Sequence, residues 1–221
     1  MRSTTSFKRV ILRAVLRDVY PMVIRLVAVP DCLELADFDD IFHALLGWDS
    51  GIGYAFQVHG QEFNSFRRDT RSRRLCDFRL HRQEKFLYTL GAMDQWEWEL
   101  RVVDLQEGAD GDETPVCLGG RGATPPQYSG GPTGYRLMLK RQALGEKMCP
   151  PAEVETVIGV LAAAHPGQPT NTWELLRSVL ADGCQSLDRR LEQYGPLEPE
   201  RFSLREANAR LGKLLEYRRF A

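Results

Sequence analysis

Seven arginines crowd one stretch of this 221-residue chain, RRDTRSRRLCDFRLHR, at Arg67, Arg68, Arg71, Arg73, Arg74, Arg79 and Arg82, against only Asp69 and Asp77. A guanidinium is planar, always charged and able to grip a carboxylate or phosphate through two parallel hydrogen bonds, so such a cluster has the chemistry of an anion-binding surface. Displayed on the tip of a hairpin, it would suit an acidic protein partner or the phosphates of a nucleic acid. The alternative reading is an exposed connector kept hydrated by its charge.

The other residue types that do chemistry are sparse. The stretch CLGGRGATPPQYSGGPTGY, from Cys117 to Tyr135, holds six glycines and three prolines. It lacks the Gly-Lys-Ser/Thr ending that gives a phosphate-binding loop its lysine and magnesium ligand. His43, His59, His81 and His165 are not spaced from one another or from a cysteine as metal ligands are, and each reads as a surface or helix-face residue. The five cysteines (Cys32, Cys76, Cys117, Cys149, Cys184) form no C-x-x-C pair, which argues against a disulfide framework and for a reducing cytoplasm. There is no G-x-S-x-G elbow. Glu97 and Glu99 share one strand face, but opposite Trp96 and Trp98 they read as a solvated face rather than an acid–base pair. No catalytic set, metal site or cofactor emerges.

Charge does not select a partner class for the whole molecule, because 29 Lys and Arg balance 30 Asp and Glu. No apolar run approaches the roughly 20 residues of a membrane helix. The early run VILRAVL is broken by Arg13 and precedes no small-residue cleavage site, so it reads as structure rather than as a signal peptide.

Periodicity then places the elements. Residues 7–18 and 20–30 are rich in Val and Ile and read as an antiparallel hairpin. Leu35, Phe38, Ile41, Phe42, Leu45 and Leu46 form a helical stripe stopped by Gly47. Ile52, Tyr54, Phe56 and Val58 alternate up to a His-Gly turn, and KFLYTL followed by QWEWELRVVDL reads as a further hairpin whose aromatic face is core. After the Gly/Pro stretch, read as a loop, the remaining segments are helical. Asn171 or Thr172 is the expected cap of the helix beginning NTWELL, and Ser203 to Glu206 is a capping box. The expectation is an α+β fold with a mostly antiparallel, roll-like sheet, one early helix packed on it and a helical C-terminal third. Its domains would be 1–145, including the Gly/Pro loop, and a helical extension, 146–221, packed on it.

In this order, LLGWD, YAFQV, FLYTLGAMDQWEWEL, PVCLGGRGATPPQYSGGPTGY and LEPERFSLREANARL resemble the plasmid pRiA4b ORF-three-like family, also described as insertion-element passenger or TnpR-like proteins. The resemblance runs from about Phe7 to about Leu215, apart from an extra helical stretch between Pro150 and Tyr194. Its marks here are Gly47, Trp48 and Asp49 after the helix, Trp96, then Cys117, Gly119, Gly120, Pro125, Pro126, Gly130, Gly131 and Tyr135, with an asparagine-containing terminal helix. It implies a compact α+β roll and no established activity. A resolvase role finds no support, since neither a serine-recombinase site nor a helix-turn-helix is evident.

Against the family pattern, Thr124 and Ser129 replace cysteines, while Ile52, Tyr54 and Trp98 stand where histidines occur. The resemblance therefore implies that any polar or metal site has been lost here and that the loop survives as a structural lid. The resulting expectation is a non-enzymatic cytoplasmic binding or adaptor protein associated with plasmids or mobile elements. Its partner would be a protein or a nucleic acid, engaged by the arginine-rich segment and the added helices. The alternatives are a nucleic-acid-binding accessory factor and a metal-dependent enzyme built on the sheet and loop.

Overall fold

The computed structural model describes residues 7–67, 70, 72–91, 95–108, 113–144 and 151–220. The chain divides into two units, Met1–Pro132 with Glu198–Ala221, and Thr133–Leu197. The first is built on a seven-stranded antiparallel sheet, and with 41% helix and 27% strand the fold is α+β.

Strands β1 (Lys8–Leu16) and β2 (Ile24–Pro30) form the opening hairpin, and β1 continues the sheet by pairing with β6 (Trp96–Glu107). Strand β3 (Tyr54–Val58) turns through His59 and Gly60, both at positive φ, into β4 (Gln61–Asn64). That pair of conformations is what a two-residue hairpin turn requires. With β5 (Lys85–Leu90) and β7 (Val116–Arg121), the strand order is β4-β3-β5-β6-β1-β2-β7.

Alternation decides which face is core. Val10, Leu12 and Ala14 on β1, Phe86, Tyr88 and Leu90 on β5, and Trp96, Trp98, Leu100 and Val102 on β6 are all buried. On the opposite face, Glu99 pairs with Lys85 at 2.8 Å and Glu97 with Arg17, as a solvated charge lattice would. Helix α1 (Leu35–Leu46) covers the apolar face with the expected stripe, and burying each such large side chain contributes about 1.5–3 kcal/mol. It ends at Gly47, whose φ of 73° lets its N–H turn back to the His43 carbonyl at 2.9 Å.

The Gly/Pro stretch is only partly a loop. Residues 116–121 form β7, which pairs with β2 through a bulge at Leu118, and Tyr135 lies on helix α2 (Gly131–Leu144). Gly120 of this stretch admits close approach rather than a turn. A Cβ on Gly120 would lie 2.7 Å from both the Ile24 carbonyl oxygen and the Phe202 ring.

Helices α2, α3 (Pro151–Ala164) and α4 (Thr170–Tyr194) make up most of the second unit. Within it Arg177 grips Glu155 through two hydrogen bonds of 2.6 and 2.9 Å, and Arg141 donates to Asp188 at 2.9 Å. Helix α4 starts at Thr170 after Pro169 and has no side-chain cap, so Asn171 and Thr172 fall inside its first turn. Helix α5 (Leu204–Phe220) does have the expected cap, the Glu206 N–H donating to Ser203 Oγ at 3.2 Å. It belongs to the sheet unit, with Ala207 and Leu211 buried. Helix α2 thus falls largely in the helical unit, and α5 falls in the sheet unit.

Candidate functional site

Within the sheet unit, Trp48, Asp49 and Trp96 meet the stretch from Pro125 to Gln127 in one clamp. Trp48 follows the helix-ending glycine, and its Nε1 donates to the Pro125 carbonyl at 2.8 Å, while Trp96 Nε1 donates to the Gln127 carbonyl at 3.1 Å. The two indoles lie 5.5 Å apart between centroids. The Gln127 amide closes the clamp by accepting the Asp49 N–H at 2.7 Å and donating to the Asp49 carbonyl at 2.9 Å, as a neighbouring strand would. Gly130 and Gly131, at φ 86° and 68°, turn the chain into α2, on which Tyr135 is buried. Gly119 lies in β7, and Pro126 accepts the Ser129 N–H at 3.2 Å.

Behind the clamp sits Arg25, 2% exposed and in phase with the core residues Val27 and Val29 of β2. Its Nη1 donates to the carbonyls of Ile24, Arg121 and Gly122 at 2.7–3.0 Å, its Nη2 donates to Thr124 Oγ1 at 2.9 Å, and it lies 4.4 Å from the Phe202 ring centroid. Burial lowers its pKa to about 10, so it stays charged near neutrality. Cys117, on β7, is also buried. Burial pushes its thiol up, and its S–H donates to the Gly119 carbonyl at 3.4 Å, which makes it a poor nucleophile. Its backbone N–H and carbonyl both bond to the Asn208 side chain, each at 2.9 Å. Thr124 therefore serves the arginine. Among the described residues, no three His, Cys, Asp or Glu side chains gather as a metal would need.

The arginine-rich segment lies between β4 and β5 and is anchored rather than raised on a hairpin tip. Thr70, Leu75, Phe78 and Leu80 are buried, and a 3-10 turn spans Leu75–Phe78. Arg67, Arg73, Arg74, Arg79 and Arg82 are exposed, whereas Arg68 and Arg71 lie outside the described residues. Arg74 faces Glu34 at 4.0 Å and Arg82 faces Asp104 at 3.7 Å, so these two point toward carboxylates of different elements.

A third constellation went unread in the sequence. Asp39 on α1 is 5% exposed, and its Oδ1 accepts the Tyr88 hydroxyl at 2.5 Å and lies 3.6 Å from His43 Nε2. Around them pack Phe38, Phe42, Phe56 and Trp98, with Phe56 stacked on Tyr88 at 4.6 Å. Burial pushes Asp39 up to about 7, opposed by the Tyr88 hydrogen bond, and lowers His43. His43 is thus a core residue rather than a surface one. Its burial follows from the helix itself, because positions 39 and 43 fall within the same stripe as 35, 38, 42 and 46. Tyr54 and Trp98 share this core, while Ile52 lies before β3 and is only half-buried. One side of the constellation opens to a groove of about 360 Å³ that Asp39 and Tyr54 line.

The family model for the plasmid pRiA4b ORF-3-like protein matches residues 8–156, which takes in the sheet, the clamp and α2. The chain belongs to that family. The match ends before the segment LEPERFSLREANARL, so the terminal helix lies beyond it. An uncharacterised protein, y4hQ, of Sinorhizobium fredii is 29% identical over 135 residues, covering 57% of this chain and 68% of its own. A crystal structure of a protein of unknown function from Methanosarcina mazei Go1 superposes with a TM-score of 0.65 at 19% identity, covering 91% of this chain and 98% of that one. That likeness concerns the fold, and its share of the chain is larger than the segment that the family model matches.

No helix among the described residues is long and apolar enough to cross a membrane. Of the groups that matter geometrically, Trp48, Asp49, Trp96 and the glycines are visible as motif. Arg25, Asp39 and Gln127 are not, because an isolated polar residue in an apolar pattern looks like noise until its partner is known.

Proposed function

We propose that this protein is a non-enzymatic cytoplasmic adaptor, associated with plasmids or mobile elements, that docks an acidic protein partner through the segment 67–82. The observation that carries this reading is the split within one segment, where Thr70, Leu75, Phe78 and Leu80 are buried while Arg67, Arg73, Arg74, Arg79 and Arg82 are exposed. Guanidiniums on an anchored base are held ready for a partner without the ordering cost of a free loop. The clamp supports a scaffold role for the Gly/Pro stretch, since its polar contacts are turned inward on the chain's own backbone.

The test is fluorescence anisotropy with an acidic peptide and with a DNA duplex across a salt series, on the parent and on Arg73→Glu/Arg74→Glu/Arg79→Glu. The reading expects the peptide to bind, the triple variant to lose it, and the melting temperature to hold. Tighter binding of the duplex, weakening steeply with salt, would replace the adaptor with a nucleic-acid accessory factor. Equal binding of the peptide by parent and variant would remove the segment from function.

A further inference from the structure

The groove beside Asp39 runs between the first turns of α1 and the approach to β3, with Ser65 and Phe66 closing its far side. The most buried of its charged lining residues is Asp39, 5% exposed. Phe66 is 84% exposed, and its ring lies beside Gly53, where a Cβ would be 3.4 Å from it. A large aromatic ring left in water beside a carboxyl is the arrangement that receives an organic cation, the acid supplying the counter-charge and the ring face covering the stem.

The charges around the groove are unbalanced at one position. Within a single turn α1 carries Asp37, Asp39 and Asp40, and Arg218 of α5 is hydrogen-bonded to both Asp37 and Asp40. Asp39 has no such cation among the described residues. The groups facing it are Asp40 and His43 from α1, Tyr88 from β5 and Tyr54 from β3, of which Tyr88 donates a hydrogen bond and His43 is kept neutral by burial. An ionised Asp39 is therefore a nearly buried carboxylate with a phenol for company and no opposite charge. Such a group gains most from a ligand that brings the charge in.

We propose that this groove binds an alkylammonium group, paired with the Asp39 carboxylate and covered by the Phe66 ring. A volume of about 360 Å³ suits an amine on a short aliphatic stem, whether a free amine or the side chain of a lysine-bearing segment. The proposal stands apart from the arginine segment, whose ligand has the opposite charge. It also makes binding pH-dependent, because only ionised Asp39 is competent, and its pKa of about 7 makes that form scarce at pH 6 and dominant at pH 8.

The probes are putrescine and Nα-acetyl-lysine methylamide, titrated into the full chain while the Ile52 methyl and Phe66 ring resonances are followed at pH 6 and pH 8. Saturable shifts should appear with both, about tenfold tighter at pH 8. The tighter of the two probes identifies the source of the amine. Asp39→Asn should abolish the pH dependence and weaken binding at pH 8 at least about tenfold, and Phe66→Ala should weaken it several-fold. Because the Phe66 ring is exposed, that variant remains informative even if Asp39→Asn perturbs the core. Absence of saturable shifts at pH 8 with both probes, or undiminished affinity in the two variants, overturns the proposal.

Discussion

Arg25 and Asp39 are both ionisable, both more than nine-tenths buried, and both in phase with core residues of the sheet unit, yet their surroundings differ in kind. Arg25 is met by three backbone carbonyls, a threonine hydroxyl and an aromatic face. Asp39 is met by one phenol and a neutral imidazole, with a groove on its open side. The arginine stays charged because dipoles replace its water, whereas the carboxyl is poised near neutrality because almost nothing does. A buried charge surrounded by the chain's own backbone holds the fold, and one left without an opposite charge beside a groove is available to something else.

Breaking the arginine side of this comparison should have the largest effect. Arg25→Ala leaves the Arg121 and Gly122 carbonyls without donors and opens a void under Phe202, so a loss of about 3–5 kcal/mol is expected in urea denaturation. A loss below about 1 kcal/mol would mean that water fills the role and that the two residues are not so different.

Asp39→Asn should move stability the other way. The raised pKa means that the folded state holds the proton more tightly than the unfolded one, so the parent gains from this group at low pH and loses that gain as pH rises from about 4 through about 7. Above pH 7 the variant should therefore be more stable by about 2–4 kcal/mol, with a flatter profile, as read from melts at several pH values. His43 acts oppositely: its lowered pKa gives stability above the ordinary imidazole range that is lost as pH falls through it. His43→Gln should therefore remove part of the acid-side decline. A parent curve flat between pH 4 and 8 would remove the contrast with Arg25.

Two smaller effects sharpen the distinction between clamp and surface. Asn208→Leu removes both bonds to the Cys117 backbone and should cost about 1–3 kcal/mol, with faster amide exchange at Cys117. Arg73→Glu with Arg79→Glu should alter stability by at most about 1 kcal/mol, since both side chains are exposed, and calorimetry would check this.

Much of this architecture is legible from periodicity, because strands and helix stripes are patterns of apolar residues and each face had to be buried. Strand β7 escaped because VCLGGR has little alternation, and its Gly120 answers to the proximity of Ile24 and Phe202 rather than to a turn. The polar groups escaped for a related reason. Arg25 in IRLVAV and Asp39 in LADFDDIF sit at core phases, a conflict visible in the sequence, but what resolves it lies 96 to 99 positions away for Arg25 and 49 positions away, on β5, for Asp39. Gln127 has no local signature, since its partner is the backbone of Asp49.

The bond pair from Asn208 to Cys117 has a consequence for the chain in company. Strand β7 is the last of its sheet, and an outermost strand offers unpaired N–H and carbonyl groups to any other strand that drifts past. One amide side chain occupies both groups of Cys117, serving as a strand of a single residue and closing the ladder where a second molecule would otherwise extend it. Loss of that amide would leave a sticky rim, so variants at Asn208 should show themselves first in crowded solution, as turbidity growing with protein concentration.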